Sequence, residues 1–329
     1  MERLLILLPL LTLPALAQDP ILRMPVRLVV APTSVTDQKG KFINGLRESD
    51  FKLYDNNILQ TIHEDSDFLP LSIVVAIQTN LTIQAIEPKI HALGPLLGSL
   101  VVGEGGEAAI LTFNKKVQLV QDFTGDLGRI THSLRKVEFT QEKSHLIDAT
   151  LHAIRLLERR PKERRRILLL ISETRDEGSE SSLRDALAEA ELHNILIYSL
   201  NVSRSHAVKQ IFLPGQGIQG TAFTIDVIAL VKEIYGGVKN AVEENPLSVL
   251  TRYTGGRQFS FMKERSLEDA IISMGQEIHG QYLLSYTPRD TAGTGYHDIR
   301  VTLSKPELTV RSRPGYWSEA ADFLAPPQD

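Results

Sequence analysis

The sequence contains no cysteine, which excludes disulfide bonds, thiolate catalysis and cysteine metal sites. Acidic and basic residues nearly balance, and the formal net charge of -4 argues against a nucleic acid partner. A chain of 329 residues with 42% hydrophobic residues is nevertheless long enough to bury a large core. The core alone must therefore stabilise the fold.

Motifs that carry catalysis are also absent. The sequence has neither the Gly-x-Ser-x-Gly of a nucleophile elbow nor the His-Glu-x-x-His of a zinc enzyme, and its nine histidines show no triad spacing. Gly103-Glu104-Gly105-Gly106 lacks the Gly-Lys-Ser/Thr ending of a phosphate loop and precedes a strand pattern, so we expect a helix-to-strand turn there. The sequence therefore predicts a protein that is not an enzyme.

The N-terminal residues are typical of a secretory signal peptide. An apolar run from Leu4 to Leu13 follows Glu2 and Arg3, and Ala15-Leu16-Ala17 fits a cleavage site. The run is shorter than the roughly 20 residues that span a bilayer. We expect residues 1–17 to be removed, leaving an exported chain without a membrane span, either periplasmic or secreted.

Short alternating patterns indicate β structure in both flanks of the mature chain. Val26–Ala31 and Phe51–Tyr54 alternate, with turn residues at Asp37–Gly40, in an N-terminal β segment over 18–69. A C-terminal β segment over 280–317 is predicted to pair with it, and 318–329 forms a loose tail. The strands of the C-terminal β segment are predicted at 282–286, 297–303 and 308–311.

Between these flanks, residues 70–279 alternate buried strands with helical patterns, which predicts an α/β fold with a doubly wound, mainly parallel sheet. In such sheets ligands bind at the carboxyl ends of the strands. We interpret 204–223 as a loop without a clear role and 224–235 as a helix. The predicted strands are 71–77, 108–113, 117–123, 167–171, 195–200 and 258–261, and the other predicted helices are 83–102, 146–157, 182–193, 246–253 and 267–279.

Several segments, taken in order, resemble exported von Willebrand factor type A (vWA) proteins, a family abundant in acidobacteria. The resemblance covers nearly the whole mature chain, and the order of its segments is more specific than any one of them. These segments are Val35–Gly40, Gly45-Leu46, Asp50-Phe51, Asp55–Ile62, Leu250–Phe259, Tyr282–Pro288 and Arg313–Tyr316.

The resemblance implies a metal-ion-dependent adhesion site, but most of its ligands are replaced. The family pattern is Asp-x-Ser-x-Ser after the first strand, a Thr in a second loop and an Asp after a later strand. These oxygens suit the octahedral shell of Mg²⁺. Here Gln78 and Asn80 stand for the first Asp and Ser, Thr82 keeps its hydroxyl, Ser144 stands for the Thr, and Glu173 stands for the last Asp.

Loss of one carboxylate charge weakens such a site strongly. Two unit charges about 4 Å apart interact by roughly 4 kcal/mol at an effective dielectric constant of about 20, so the loss of one carboxylate charge beside a divalent ion costs at least that much. A loss of about 4 kcal/mol corresponds to a loss of affinity on the order of a thousandfold. We therefore expect a hydrogen-bonded polar cluster that binds Mg²⁺ or Ca²⁺ weakly at most. Asp176 is either a substitute ligand, a solvated loop residue or a charge at a helix N-terminus.

The strongest block of charge is Arg159–Arg166, with six basic residues and Glu163. It is consistent with contact to an acidic partner or an anionic lipid. It is also consistent with a solvated loop after a helix whose C-terminus favours cations.

The leading functional hypothesis is recognition of a protein or peptide by loops at the top of the vWA sheet, namely Gln78–Thr82, Lys143–His145 and Glu173–Asp176. The alternatives are a metal-dependent adhesion protein with weak Mg²⁺ or Ca²⁺ binding and a structural subunit of a cell-envelope complex. The sequence leaves the partner and the oligomeric state open.

Overall fold

The computed structural model describes residues 28–64, 69–101, 105–202, 245–260, 266–289, 295–305 and 307–318. The predicted signal peptide, the loop and helix predicted at 204–235, and the tail beyond residue 318 lie outside these ranges. The strands in chain order are β1 Val29–Thr36, β2 Phe51–Asp55, β3 Ile58–Leu59, β4 Ile62–Glu64, β5 Leu71–Gln78, β6 Glu107–Phe113, β7 Val117–Thr124, β8 Arg165–Ser172, β9 Ile195–Asn201, β10 Gln258–Ser260, β11 Tyr282–Tyr286, β12 Gly295–Leu303, β13 Thr309–Ser312 and β14 Gly315–Ser318. The α-helices are α1 Glu87–Val101, α2 Leu127–Leu134, α3 Leu146–Glu158, α4 Leu183–Leu192, α5 Pro246–Thr254 and α6 Ser266–Gly280, and 3-10 helices occur at Glu48–Asp50 and Leu81–Ile86.

The central sheet has six strands in the order β10-β9-β8-β5-β6-β7, all parallel except β7 at one edge. Helices α1, α2 and α6 contribute to the hydrophobic core on one face, and α3, α4 and α5 contribute to the core on the other. This arrangement confirms the predicted doubly wound α/β fold.

Strand β5 lies at the centre of the sheet because its sequence is apolar on both faces. Ile73, Val75 and Ile77 point into one core and Val74 and Ala76 into the other, and all eight residues of the strand are buried. A strand with two apolar faces is stable only between two layers of helices. The loop after Gln78 thus begins at the carboxyl end of a central strand, between the two layers of helices.

Strands from both flanks form the predicted β structure, in two four-stranded sheets of order β13-β1-β11-β4 and β14-β12-β2-β3. Strand β1 pairs with β11 and β13, and β2 pairs with β12, so the N-terminal segment is interleaved with the C-terminal one. Strand β1 continues to Thr36 rather than ending at Ala31, because residues 33–36 pair with β13. The flanks therefore depend on each other for a shared core, which includes Val35, Leu53 and Tyr282.

Arg160 and Arg164 of the basic block make structural contacts, which neither interpretation of this block predicted, whereas Arg159 is exposed at the end of α3. Arg160 donates two hydrogen bonds of 2.8 Å to the carboxylate of Glu107 on β6. Arg164 lies 3.1 Å from the same carboxylate and donates to the carbonyl oxygens of Leu71 and Gly105. These guanidinium groups therefore hold the amino-terminal ends of β5 and β6 to the segment that leads into β8.

Replacing Glu107 with alanine is expected to lower the free energy of unfolding by about 3 kcal/mol, since it leaves two partly buried guanidinium groups without their carboxylate. Urea denaturation of the purified protein measures this loss. Glu163, which is exposed in the same segment, provides the matched control, and its replacement with alanine is expected to change stability by less than about 0.5 kcal/mol. Equal stability of the two variants would contradict the structural role of Glu107.

Candidate functional site

The three predicted loops meet at the edge of the central sheet where β5 and β8 end. Ile77 and Ile171 are partners in the parallel register, so the residues that follow them emerge side by side. The loop before α3 joins them, because the amide of Thr140 donates to the carbonyl oxygen of Thr79 at 2.9 Å and Asn80 forms a parallel bridge with Thr140. We call this the loop edge of the sheet.

Gln78, Asn80 and Glu173 form a hydrogen-bonded group at the loop edge, which we call the polar cluster. Nε2 of Gln78 donates to Oδ1 of Asn80 at 2.8 Å and lies 3.5 Å from Oε2 of Glu173. Oε1 of Gln78 accepts a hydrogen bond of 2.9 Å from the backbone amide of Glu173. Gln78 and Asn80 are buried and Glu173 is half-buried, so the cluster lies beneath the loop surface.

Ser144 lies beside the loop that contains Glu173. The backbone amide of Ser144 donates to Oε2 of Glu177 at 3.1 Å, and the backbone amide of Glu177 donates to the carbonyl oxygen of Ser144 at 2.8 Å. The Ser144 side chain is 1% exposed, and its hydroxyl has no hydrogen-bond partner among the described residues. The side chain of Thr82 lies outside the described part of the chain.

Asp176 caps helix α3, as one of the three interpretations of this residue proposed. Its Oδ1 accepts hydrogen bonds from the amide of Ile147 at 3.1 Å and from the hydroxyl of Ser179 at 2.6 Å. The N-cap residue His145 makes no side-chain cap of its own. A carboxylate at this position stabilises the positive end of the helix dipole. Asp176 thus connects the loop after β8 to the N-terminus of α3.

Asp148 in the first turn of α3 strengthens the same contact. Its carboxylate accepts hydrogen bonds from the amides of Ser181 and Glu180, at 2.9 and 3.1 Å. Burial alone would raise the pKa of Asp148, but these hydrogen bonds and the nearby His145 ring outweigh it, so the pKa lies below its ordinary value. The group is therefore ionised at neutral pH and holds the far end of the same loop.

The sequence offered a helix N-terminus as one role for Asp176 but did not identify the helix that it caps. Asp176 and Ser179 have the spacing of a local turn, but 29 residues separate Asp176 from Ile147. Turn residues predict a loop, whereas the helix that the loop caps depends on the tertiary fold.

The polar cluster does not fit a divalent cation. A metal ligand must present a lone pair to the ion, but Gln78 presents its NH₂ group to the Asn80 and Glu173 oxygens. Within the described ranges, no group of three or more histidine, aspartate and glutamate residues is arranged to hold a metal ion. These three side chains instead form hydrogen bonds with one another, in a polar network beneath the loop surface.

A second polar cluster lies in the flanking β structure, where Asp55 contacts three aromatic residues. Oδ1 of Asp55 lies 2.8 Å from Nδ1 of His297, and Oδ2 accepts hydrogen bonds from the hydroxyls of Tyr286 and Tyr316 at 3.0 and 2.9 Å. Asp55 and His297 are each 3% exposed, so a substrate cannot reach this pair. The cluster is a structural connection rather than a candidate active site.

Comparison with known proteins confirms the vWA resemblance. Residues 79–176 match the family model of the von Willebrand factor type A domain, and this range includes Asn80, Ser144 and Glu173. No curated protein sequence matches the chain. The parallel sheet between two layers of helices is the doubly wound α/β fold that the residue pattern predicted.

Solved structures similar to the chain share little sequence with it. The conserved hypothetical protein BatB from Bacteroides thetaiotaomicron is 15% identical, with a TM-score of 0.42, over 64% of this chain and 97% of that one. An aerotolerance-related membrane protein from Bacteroides fragilis is 15% identical, with a TM-score of 0.43, over 64% and 98%. A von Willebrand factor type A protein from Catenulispora acidiphila is 9% identical, with a TM-score of 0.48, over 90% and 64%.

Proposed function

Since the chain contains a von Willebrand factor type A domain, we propose that it is a non-enzymatic exported protein that binds a protein or peptide partner through the loop edge. The observation that carries this proposal is the meeting of three loops over the buried polar cluster. Modules of this family commonly mediate protein interactions. The partner would contact the side chains that stand above the cluster.

The loop edge has the composition of a recognition surface. Leu81 is 40% exposed directly after the polar cluster, and Lys143 and Arg175 are exposed on the other two loops. An exposed apolar side chain on one loop and charged side chains on the other two can supply both contact area and orientation. Hydrogen bonds between the loops keep these positions fixed, which lowers the entropy lost on binding.

The proposal of a non-enzymatic protein draws on the chemistry of the described residues. Among them, the shortest histidine–carboxylate contact is that of Asp55 and His297, at 2.8 Å, and this pair is buried with two tyrosines. Export is supported by the signal-like residues 1–17. No helix in the described ranges is both long and apolar enough to cross a membrane.

Site-specific photo-crosslinking in the native host tests partner binding at the loop edge. We expect a photoreactive residue at position 81, 143 or 175 to crosslink one discrete protein. Positions 159 and 162 are exposed near the opposite end of α3 and provide matched controls. Equal labelling of both sets would favour a structural subunit with broad contacts, and crosslinks at the control positions alone would contradict the proposal.

A further inference from the structure

We propose that the side-chain amide of Gln78 takes the place of a divalent cation and holds the binding loops together without any ion. Only the described atoms of the polar cluster are involved, and no partner is required. Its consequence, that recognition is independent of divalent cations, rests on the proposed function.

The orientation of the Gln78 amide follows from its contact with Glu173. A backbone amide can only donate, so the Gln78 atom 2.9 Å from the Glu173 nitrogen must be the carbonyl oxygen. The NH₂ group must then face the other way, towards Oδ1 of Asn80 at 2.8 Å and Oε2 of Glu173 at 3.5 Å. The amide oxygen therefore accepts one hydrogen bond, and the nitrogen makes one short contact and one long contact to oxygen.

The NH₂ group presents positive charge where a metal ion would. Its nitrogen lies 2.8 Å from Asn80 Oδ1 and 3.5 Å from Glu173 Oε2, the oxygens that stand in the ligand positions of the resembled site. Magnesium lies about 2.0–2.1 Å from its ligands, so an ion bound to Asn80 Oδ1 would lie against the NH₂ hydrogens of Gln78. An NH₂ group in this place therefore excludes the cation by its volume and by the partial positive charge of its hydrogens.

The same amide connects two neighbouring strands where they end. Gln78 is the last residue of β5 and Glu173 directly follows β8. A metal ion would connect such loops only when bound, whereas a side chain connects them permanently. The loop edge is thus preorganised by covalent structure and by hydrogen bonds alone.

Thermal unfolding in chelator and in Mn²⁺ tests the proposal with the protein alone. The wild-type melting temperature is expected to be the same in both conditions.

The triple variant Gln78→Asp, Asn80→Ser, Glu173→Asp restores the ligand types of the family pattern. We expect Mn²⁺ at about 100 times its Kd to raise the melting temperature of this variant by roughly 4 °C. Gln84→Asp, at an exposed position just beyond the same loop, adds one charge and is expected to gain no response.

The variant Gln78→Glu provides a second test if the triple variant fails to fold. It keeps the size of the side chain but replaces the two donors with a carboxylate beside Asn80 and Glu173, so we expect a lower melting temperature in chelator and recovery in Mn²⁺. A saturable rise for the wild type in Mn²⁺, or a folded triple variant with no response, would overturn the proposal. Because no partner is present, neither result depends on the proposed binding function.

Discussion

Replacing Asp55 with alanine is expected to lower the free energy of unfolding by about 3–5 kcal/mol, because it removes the shared acceptor of a buried cluster. The Asp55 carboxylate contacts His297 and accepts from the hydroxyls of Tyr286 and Tyr316. Tyr286 lies in one sheet of the flanking β structure, whereas Asp55, His297 and Tyr316 lie in the other. The variant would therefore leave buried donors without their acceptor at the contact between the two sheets.

The tyrosines of this cluster act as hydrogen-bond donors over the physiological pH range. Burial raises the pKa of both Tyr286 and Tyr316, and the negative charge of Asp55 raises it further. Their hydroxyls are therefore protonated in the folded protein.

Urea denaturation followed by circular dichroism measures the effect of the Asp55 variant. The matched control is Asp122→Ala, which removes an exposed carboxylate from β7 and is expected to cost less than about 0.5 kcal/mol. If the two variants are equally stable, the cluster does not stabilise the contact between the two sheets.

Replacing Gly256 with alanine is expected to lower the free energy of unfolding by about 3 kcal/mol or more, because a side chain has no room there. A Cβ atom at this position would lie 2.0 Å from the carbonyl oxygen of Ile197 and 2.7 Å from its carbon. Those atoms are backbone of β9 in the central sheet, so relief requires movement of the strand. The preceding Gly255 has a φ of 88°, which ends α5 in the left-handed conformation that glycine adopts readily.

Gly280→Ala provides the matched control for the Gly256 variant. Its Cβ would lie 3.1 Å from the side-chain oxygen of Asn44, which is able to rotate away, so we expect a change below about 1 kcal/mol. Soluble yield and urea denaturation of both variants measure the difference. A Gly256 variant as stable as the Gly280 variant would show that the close approach to β9 does not constrain this residue.

The sequence predicted the central sheet because its strands carry their own signal. The continuous apolar run of β5 and the helical periodicity of α3 are local patterns, and their alternation defines the layers. The positions of Gln78 and Glu173 at strand ends followed from those strands, so the meeting of the loops was predictable. Helix α2 was not predicted, since it has only eight residues and includes Gly128.

Contacts between distant residues account for what the sequence could not predict. Asp55 and His297 are 242 residues apart and carry no spacing that marks a pair. The arginines from 160 to 166 have the composition of a solvated block, and only the fold places Glu107 against Arg160 and Arg164. Side-chain partners of this kind depend on strand order, which residue patterns determine only coarsely.

The most direct measurement is a crystal structure of the mature protein grown in millimolar Mn²⁺, with anomalous diffraction recorded at the manganese absorption edge. We expect no anomalous peak among Asn80, Ser144 and Glu173, and the nitrogen of the Gln78 amide within hydrogen-bonding distance of Asn80. A fully occupied, octahedrally coordinated manganese ion at that position would contradict the account.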